Sequence, residues 1–407
     1  MPSHPQHPQN TSAPAASCAV VVLAGSPSAR SKQEETRRGV AVDVRAGTQD
    51  SWSVAELYGC SAALPNPPAV MRGYQIEKNI RFDELKSRLV ECPEPKAGED
   101  EVVVEVHYAG LNFFDLLQIE GKYQHKPPFP YIAGAEFAGV VAKDSPIPKG
   151  CDWIPGKTRV FGAGQGAYAE RIAVDYRKLL PVPTGMGLDE AAGLYVTYPT
   201  SYAGLVNRAQ VKEGEWVLVH AAAGGVGLAA VQIAKALGAK VIATASTPAK
   251  LEVAMRYGAD WGVDYGKEGW QKEVMKITKG HGADVIYDPV GLIVPSLKCI
   301  AWNGRAIIVG FAGGTIEKIP ANLLLLKNCT AMGVHWGAYV KNEPDAIPVV
   351  WSALLDLFAK KKVRGIIYEK VFGGLESVPA GLEALGKRET WGKAVVEVKK
   401  EDEKAKL

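Results

Sequence analysis

Trp216, Val217, Leu218 and Val219 form an apolar run that leads directly into His220-Ala221-Ala222-Ala223-Gly224-Gly225-Val226-Gly227, and the chain stays apolar to about Leu237 apart from Gln232 and Lys235. After Gly238 a second strand-like run occupies residues 240–244. A strand that turns at once into a helix and is followed by another strand is a βαβ unit, which requires a parallel sheet with helices on its faces. Small residues in the turn let the backbone approach a pyrophosphate, whose charge is favoured by the N–H groups and dipole of a helix N-terminus. Ala222, Gly224 and Gly227 hold the three places of the G-x-G-x-x-G pattern, so its first glycine is missing and the surrounding unit carries the reading. Gly224, Gly225, Val226 and Gly227 are the expected dinucleotide cradle; a tight turn without a ligand is the competing reading.

About 20 residues beyond such glycines, units that take NAD carry Asp or Glu for the ribose 2′-OH. Here the second strand ends in Ala245-Ser246-Thr247-Pro248-Ala249-Lys250, with no carboxylate. A hydroxyl, a lysine and the start of another helix suit a dianion, so Ser246 and Lys250 are expected at the 2′-phosphate of NADPH. Without a ligand, Ser246 reads as a helix N-cap and Lys250 as a solvated helix lysine.

Further strand-like segments at 261–265, 284–287, 305–309 and 330–334 alternate with helical stretches. The fold class is therefore α/β, a doubly wound parallel sheet. The turns Asp288-Pro289-Val290-Gly291 and Gly310-Phe311-Ala312-Gly313-Gly314 fall at strand ends, where such sheets hold ligands, which makes Gly310 and Phe311 candidates for the nicotinamide half.

At 407 residues the chain is long enough for two domains with full cores. A formal net charge of +3, with no basic run interleaved with aromatics, gives no positive case for nucleic acid. The six cysteines, at 18, 60, 92, 151, 299 and 329, lack paired spacing and point to reduced thiols, hence a cytoplasmic setting. Residues 1–70 read as a disordered extension rich in Ser, Ala and Pro. Its apolar run at 18–24 is too short to span a bilayer, and its lack of acids before Glu34 fits a mitochondrial presequence slightly better than a secretory signal. Residues 71–195 read as a mainly β domain, 196–345 as the nucleotide domain, 346–400 as a return to the first domain and 401–407 as a charged, fraying tail.

Specific strings follow this domain order: Gly110-Leu111-Asn112-Phe113-Phe114-Asp115, Gly134-Ala135-Glu136-Phe137-Ala138-Gly139, Val196-Thr197-Tyr198-Pro199-Thr200, the block from Val217 to Gly227, and Ile308-Val309-Gly310-Phe311. With them the chain resembles the zinc-free medium-chain dehydrogenase/reductases of the quinone oxidoreductase (zeta-crystallin-like) type over most of 71–400. The resemblance implies a GroES-like catalytic domain beside a Rossmann domain, NADPH as hydride donor, and a homodimer. It places Asn112, Asp115 and Tyr123 around the reacting centre, Thr200 at the nicotinamide, Tyr265 at the adenosine end and Arg388 at the 2′-phosphate. Read plainly, Asn112 is a helix N-cap, Asp115 its capping partner or a core ion-pair member, Tyr123 a loop aromatic and Arg388 a surface arginine. Leu117 departs from the resemblance where some members carry a second tyrosine. The segment from Asp144 to Thr158 departs as well, richer in proline than the family's usual turn.

Zinc alcohol dehydrogenases of the same family place a histidine within Gly-His-Glu. This chain reads Gly134-Ala135-Glu136, and the four-cysteine lobe is reduced to Cys151, so no metal is expected. Polarising the acceptor then falls to hydrogen-bond donors. The expected function is an NADPH:quinone oxidoreductase acting on quinones or α,β-unsaturated carbonyls. An enoyl-thioester reductase and a non-catalytic NADPH-binding protein are the alternatives.

Overall fold

The computed structural model describes residues 69–400. The readings placed on residues 1–68 and 401–407 lie outside those described.

The apolar run at 216–219 becomes the middle of a six-stranded sheet. Its order is Trp261–Asp264, Lys240–Ala245, Trp216–Val219, Ala283–Asp288, Ile300–Ile308, Thr330–Gly333, and every pairing is parallel. Val217, Leu218 and Val219 are fully buried, as expected of a parallel strand covered on both faces, and hence show no polar alternation. The helices Gly225–Ala236, Pro248–Arg256, Trp270–Ile277 and Ala321–Lys327 complete a doubly wound arrangement. Strand order reverses between Trp216–Val219 and Ala283–Asp288, so the turn after Val219 opens at the crevice where such sheets bind ligands.

The mainly β lobe is built around Glu101–Gly110. This long strand pairs with Glu136–Val141, Arg171–Asp175 and Val395–Glu397, all antiparallel. Arg159–Ala163 and Leu179–Pro181 extend the sheet, and Val70–Ile76 lies between Leu89–Pro93 and Tyr131–Ile132 in a smaller one. The strand Val395–Glu397 comes from the far end of the chain and, with the helix Val378–Gly386, packs into this lobe's core.

Two elements differ from their sequence reading. The strand read at 305–309 begins at Ile300, with Asn303 at φ 62 within it. The strand read near 365–372 is reduced to Phe372–Gly373 and an isolated bridge between Ile367 and Lys393, because the chain lifts to the surface at Glu369, Lys370 and Val371.

One core runs through both lobes. Ala138 and Phe161 of the β lobe belong to the same buried cluster as Val217, Tyr287 and Leu354. The helix Ala346–Ala359 supplies the joint: the Trp351 ring lies 5.4 Å from Phe161 and 5.1 Å from Tyr195, and Phe161 and Tyr195 lie 6.3 Å apart. Trp351→Ala is expected to lower the stability of the whole unit by about 3–5 kcal/mol, because it empties a large site that both lobes line. Denaturant titration read by tryptophan fluorescence and by circular dichroism should give one shared transition; separate transitions would show that the lobes do not share a core.

Candidate active site

The turn takes its shape from close contacts. Ala221 adopts φ 45, a left-handed conformation unusual for a residue with a Cβ, and its carbonyl accepts the Gly224 N–H at 2.9 Å. A Cβ on Gly227 would stand 2.3 Å from the Ala221 oxygen and 2.8 Å from the Ala222 Cα, so no other residue fits there. The helix Gly225–Ala236 then presents first-turn N–H groups that have no partner within the helix, the arrangement that receives a pyrophosphate. Gly224 pairs with Gly392 in an isolated parallel bridge, and the Gly392 N–H donates to the Ala223 carbonyl at 2.7 Å, so the returning segment docks on the turn.

Beneath the turn, His220 is fully buried, its Nδ1 2.7 Å from the Thr244 hydroxyl and its Nε2 2.8 Å from that of Ser296. Burial pushes its pKa down to about 3, so the ring is neutral. The two strand-end loops are joined to each other. Asp288 accepts the N–H groups of Val290, Gly291 and Leu292, while the Ala312 and Gly313 N–H groups donate to the carbonyls of Pro289 and Val290. Gly310 and Phe311 precede this junction, and Phe311 is partly exposed. Thr200 donates its hydroxyl to the Val196 carbonyl at 2.6 Å, holding its own helix.

At the other end of the crevice, Lys250 and Arg388 converge. Lys250 Nζ donates to the Arg388 carbonyl at 2.5 Å, and the Arg388 guanidinium donates to the Ala312 carbonyl at 3.1 Å. Burial, then the charge of Arg388, lowers the Lys250 pKa, and that same guanidinium acts to lower the pKa of Tyr265, which burial raises. Two cations that repel each other, with only carbonyl partners, are relieved by an anion between them. The helix N-cap here is Thr247, whose Oγ1 accepts the Lys250 N–H at 3.3 Å; this corrects the N-cap reading of Ser246, which lies exposed one residue earlier.

In the β lobe, Asn112 caps the helix Phe113–Ile119 and Asp115 stands at its third position, accepting the Asn112 N–H at 2.8 Å. The Tyr168 hydroxyl donates to the same carboxylate oxygen at 2.5 Å, and the other oxygen, Oδ1, is buried with no hydrogen-bond partner. Burial pushes the Asp115 pKa up to about 7, against the pull of Tyr168, the Asn112 N–H and Lys393. Tyr123 is half-buried and stacks on Phe114 with ring centroids 5.2 Å apart. Burial, then the Asp115 charge, raises its pKa, which keeps the phenol a donor.

Sequence reasoning missed the side chain that ties this corner together. Lys393 is buried and ion-pairs with the fully buried Glu136 at 2.5 Å. It also donates to Asn112 Oδ1 at 2.5 Å. Asn112 Nδ2 in turn faces Glu136 Oε2 at 3.2 Å and the Gly110 carbonyl at 3.4 Å, and Glu136 Oε1 accepts the Val196 N–H at 2.8 Å. The signal was legible: Lys393 heads the apolar run Ala394-Val395-Val396, and a lysine entering a buried strand needs an acid.

Comparisons place this geometry. Residues 98–184 match the alcohol dehydrogenase GroES-like domain and residues 225–358 the zinc-binding dehydrogenase domain. The chain is 40% identical over 309 residues to quinone oxidoreductase-like protein 2 homolog of Nematostella vectensis, covering 74% of this chain and 83% of that protein. The chain belongs to the quinone oxidoreductase branch of the medium-chain dehydrogenase/reductase family. Among solved structures of this family, it is similar to the Thermus thermophilus quinone oxidoreductase, solved alone and with NADPH (32% identity, TM-score 0.69, 81% of this chain and all of that one). It is also similar to the CurK enoyl reductase (27% identity, TM-score 0.70, 81% of this chain and 99% of that one). Although one matching domain is described as zinc-binding, the described residues contain no group of three or more His, Cys, Asp or Glu side chains arranged to hold a metal.

His220 gives the site a pH dependence of known sign. Its folded pKa lies below the ordinary 6.5, so its contribution to stability is complete above that value and is lost as the pH falls towards 3. The slope approaches about 1.4 kcal/mol per pH unit for one proton. His220→Gln should flatten the decline of the denaturation midpoint between about pH 6 and pH 4; an unchanged decline would mean that His220 already titrates in the fold.

Proposed function

We propose that this family member is an NADPH-dependent reductase of quinones and α,β-unsaturated carbonyl compounds that works without zinc. The observation that carries the proposal is the convergence of Lys250 and Arg388, after a strand end that carries no carboxylate at 245–250, at one end of a crevice whose middle is the glycine turn. The similarity to a quinone oxidoreductase solved with NADPH supports it. In this reading the first turn of the helix Gly225–Ala236 holds the pyrophosphate through Gly225, Val226 and Gly227. Lys250, Arg388, Ser246 and Tyr265 hold the 2′-phosphate and adenosine, and Thr200, Gly310 and Phe311 line the nicotinamide half. Bound there, NADPH supplies a hydride to the acceptor.

The remaining work belongs to the chain's own side chains. Negative charge gathers on the acceptor oxygen, and Tyr123, whose raised pKa keeps its proton at neutral pH, is the donor that stabilises it. Asp115 fixes the start of the helix that carries Asn112 and the Phe114 on which Tyr123 stacks. Its pKa of about 7 lets the site hold a proton beside Tyr123. With Ala135 in the family's histidine place, no Lewis acid is required.

The partner is a small molecule, and the assembly a homodimer. Thr330–Gly333 is an edge strand, and the neighbouring helix Ala321–Lys327 leaves Leu325 76% and Leu326 65% exposed, an edge and apolar face suited to a second copy. Cys92, Cys151, Cys299 and Cys329 are free thiols, in keeping with the cytoplasm. No helix among the described residues is long and apolar enough to cross a membrane. Enoyl thioesters form the second reading, favoured by the similarity to CurK enoyl reductase.

NADPH oxidation against a panel of quinones, small enones and enoyl-CoA esters tests the proposal. Quinones and enones should turn over, and strong chelator should leave the rate unchanged. Tyr123→Phe should keep the fold and NADPH affinity but lose about tenfold to a thousandfold in enone turnover, and less with quinones, which accept hydride readily. Turnover confined to enoyl-CoA would favour the second reading; loss of activity in chelator, or a Tyr123→Phe variant with unchanged turnover of every acceptor, would contradict the mechanism.

A further inference from the structure

The buried lysine of the returning segment takes no part in the proposed chemistry, yet its ammonium is committed to two buried partners. Lys393 reaches Asn112 through a passage walled by backbone: a Cβ on Gly193 would stand 2.7 Å from its Cγ, and a Cβ on Gly110 would stand 3.2 Å from its Cε. Its ammonium meets Glu136 Oε2 and Asn112 Oδ1, both at 2.5 Å. Because Lys393 can only donate and the Glu136 carboxylate can only accept, the Asn112 amide is held in one of its two orientations, oxygen towards Lys393 and nitrogen towards Glu136. Its backbone neighbour Gly392 is bonded to Ala223 and bridged to Gly224 of the dinucleotide turn. The same two-residue step thus touches the pyrophosphate cradle and sets the amide in the other lobe.

We propose that Lys393 is a positioning residue for the reaction: it fixes the orientation of the Asn112 amide, so that docking of the returning segment on the dinucleotide turn and the set of the reacting centre are one event. This rests on the proposed NADPH site. A salt bridge serving only to hold the lobes together would need the charges to be matched, but would be indifferent to which end of the Asn112 amide faces which partner.

That difference is testable with a neutral replacement. In the double variant Lys393→Met, Glu136→Gln, the glutamine oxygen keeps the Val196 N–H, and its nitrogen, standing where Oε2 was, donates to Asn112 Oδ1. The Lys393–Glu136 pair is then replaced by neutral groups, and Asp115 keeps the Asn112 N–H and the Tyr168 hydroxyl, but the amide is turned about. Lys393→Met alone leaves Glu136 buried without its cation and is expected to lower the melting temperature sharply. The double variant should recover most of that loss and keep its NADPH dissociation constant within about threefold of the parent, while kcat stays at least about tenfold lower. If the single variant does not fold, the double variant still decides. Recovery of kcat together with stability would overturn the positioning role.

A ligand-free readout separates this inference from the cofactor reading. The Asn112 Nδ2 protons, in full-length protein labelled at asparagine, should show nuclear Overhauser contacts to the side chain at 136 in the parent and to the side chain at 393 in the double variant, as the amide turns about. Contacts that stay on the side chain at 136 would overturn the positioning role whatever the protein does with NADPH. Exchanged contacts in a protein whose parent binds no NADPH would uphold the orientation and sink the cofactor assignment alone.

Discussion

The ion pair between Lys393 and Glu136 is the contact that fixes how the returning segment enters the β lobe. Both partners are buried, and an unpaired charge at either place would be costly, so the chain's last strand has to enter beside Gly193 and Gly110. That entry pins Gly392 on the dinucleotide turn and Val395–Glu397 on the long strand of the β lobe. A residue near the C-terminus therefore closes both the sheet of one lobe and the mouth of the other. The aromatic joint of Phe161, Tyr195 and Trp351 reinforces the closure with apolar area, which is why the core does not stop at the boundary between lobes.

The nucleotide lobe was largely legible in the sequence, because a parallel strand buried on both faces shows itself as an unbroken apolar run and the turn after it announces itself by small residues. Alternation of strand-like and helical segments carried the doubly wound class, while the spatial order of the six strands is visible only in the structure. Less of the β lobe was legible. Its strands are short and interrupted by proline and glycine, and its longest one takes a partner from nearly 300 positions later, a pairing that no local pattern encodes.

The candidate site divides in the same way. The turn, Lys250 and the missing acid are local features. Thr247 rather than Ser246 caps the following helix, since Pro248 occupies the first helical position and so makes its predecessor the cap. The Lys393, Glu136 and Asn112 cluster joins three distant segments, and Tyr168 reaches Asp115 from a fourth. Sequence spacing cannot show such a meeting; a lysine beside an apolar strand only says that an acid must be found somewhere.

In the proposed function, selectivity for NADPH turns on the electropositive corner. Arg388 lies close enough to Lys250 to lower its pKa, and both side chains donate to backbone carbonyls, a weak arrangement that a phosphate dianion would replace with charged hydrogen bonds. Calorimetric titration of NADPH and of NADH into the full chain and into Lys250→Glu measures this directly. The parent should favour NADPH by about one to two orders of magnitude in dissociation constant, and the variant should lose the preference. Equal affinity of the parent for the two nucleotides would contradict it.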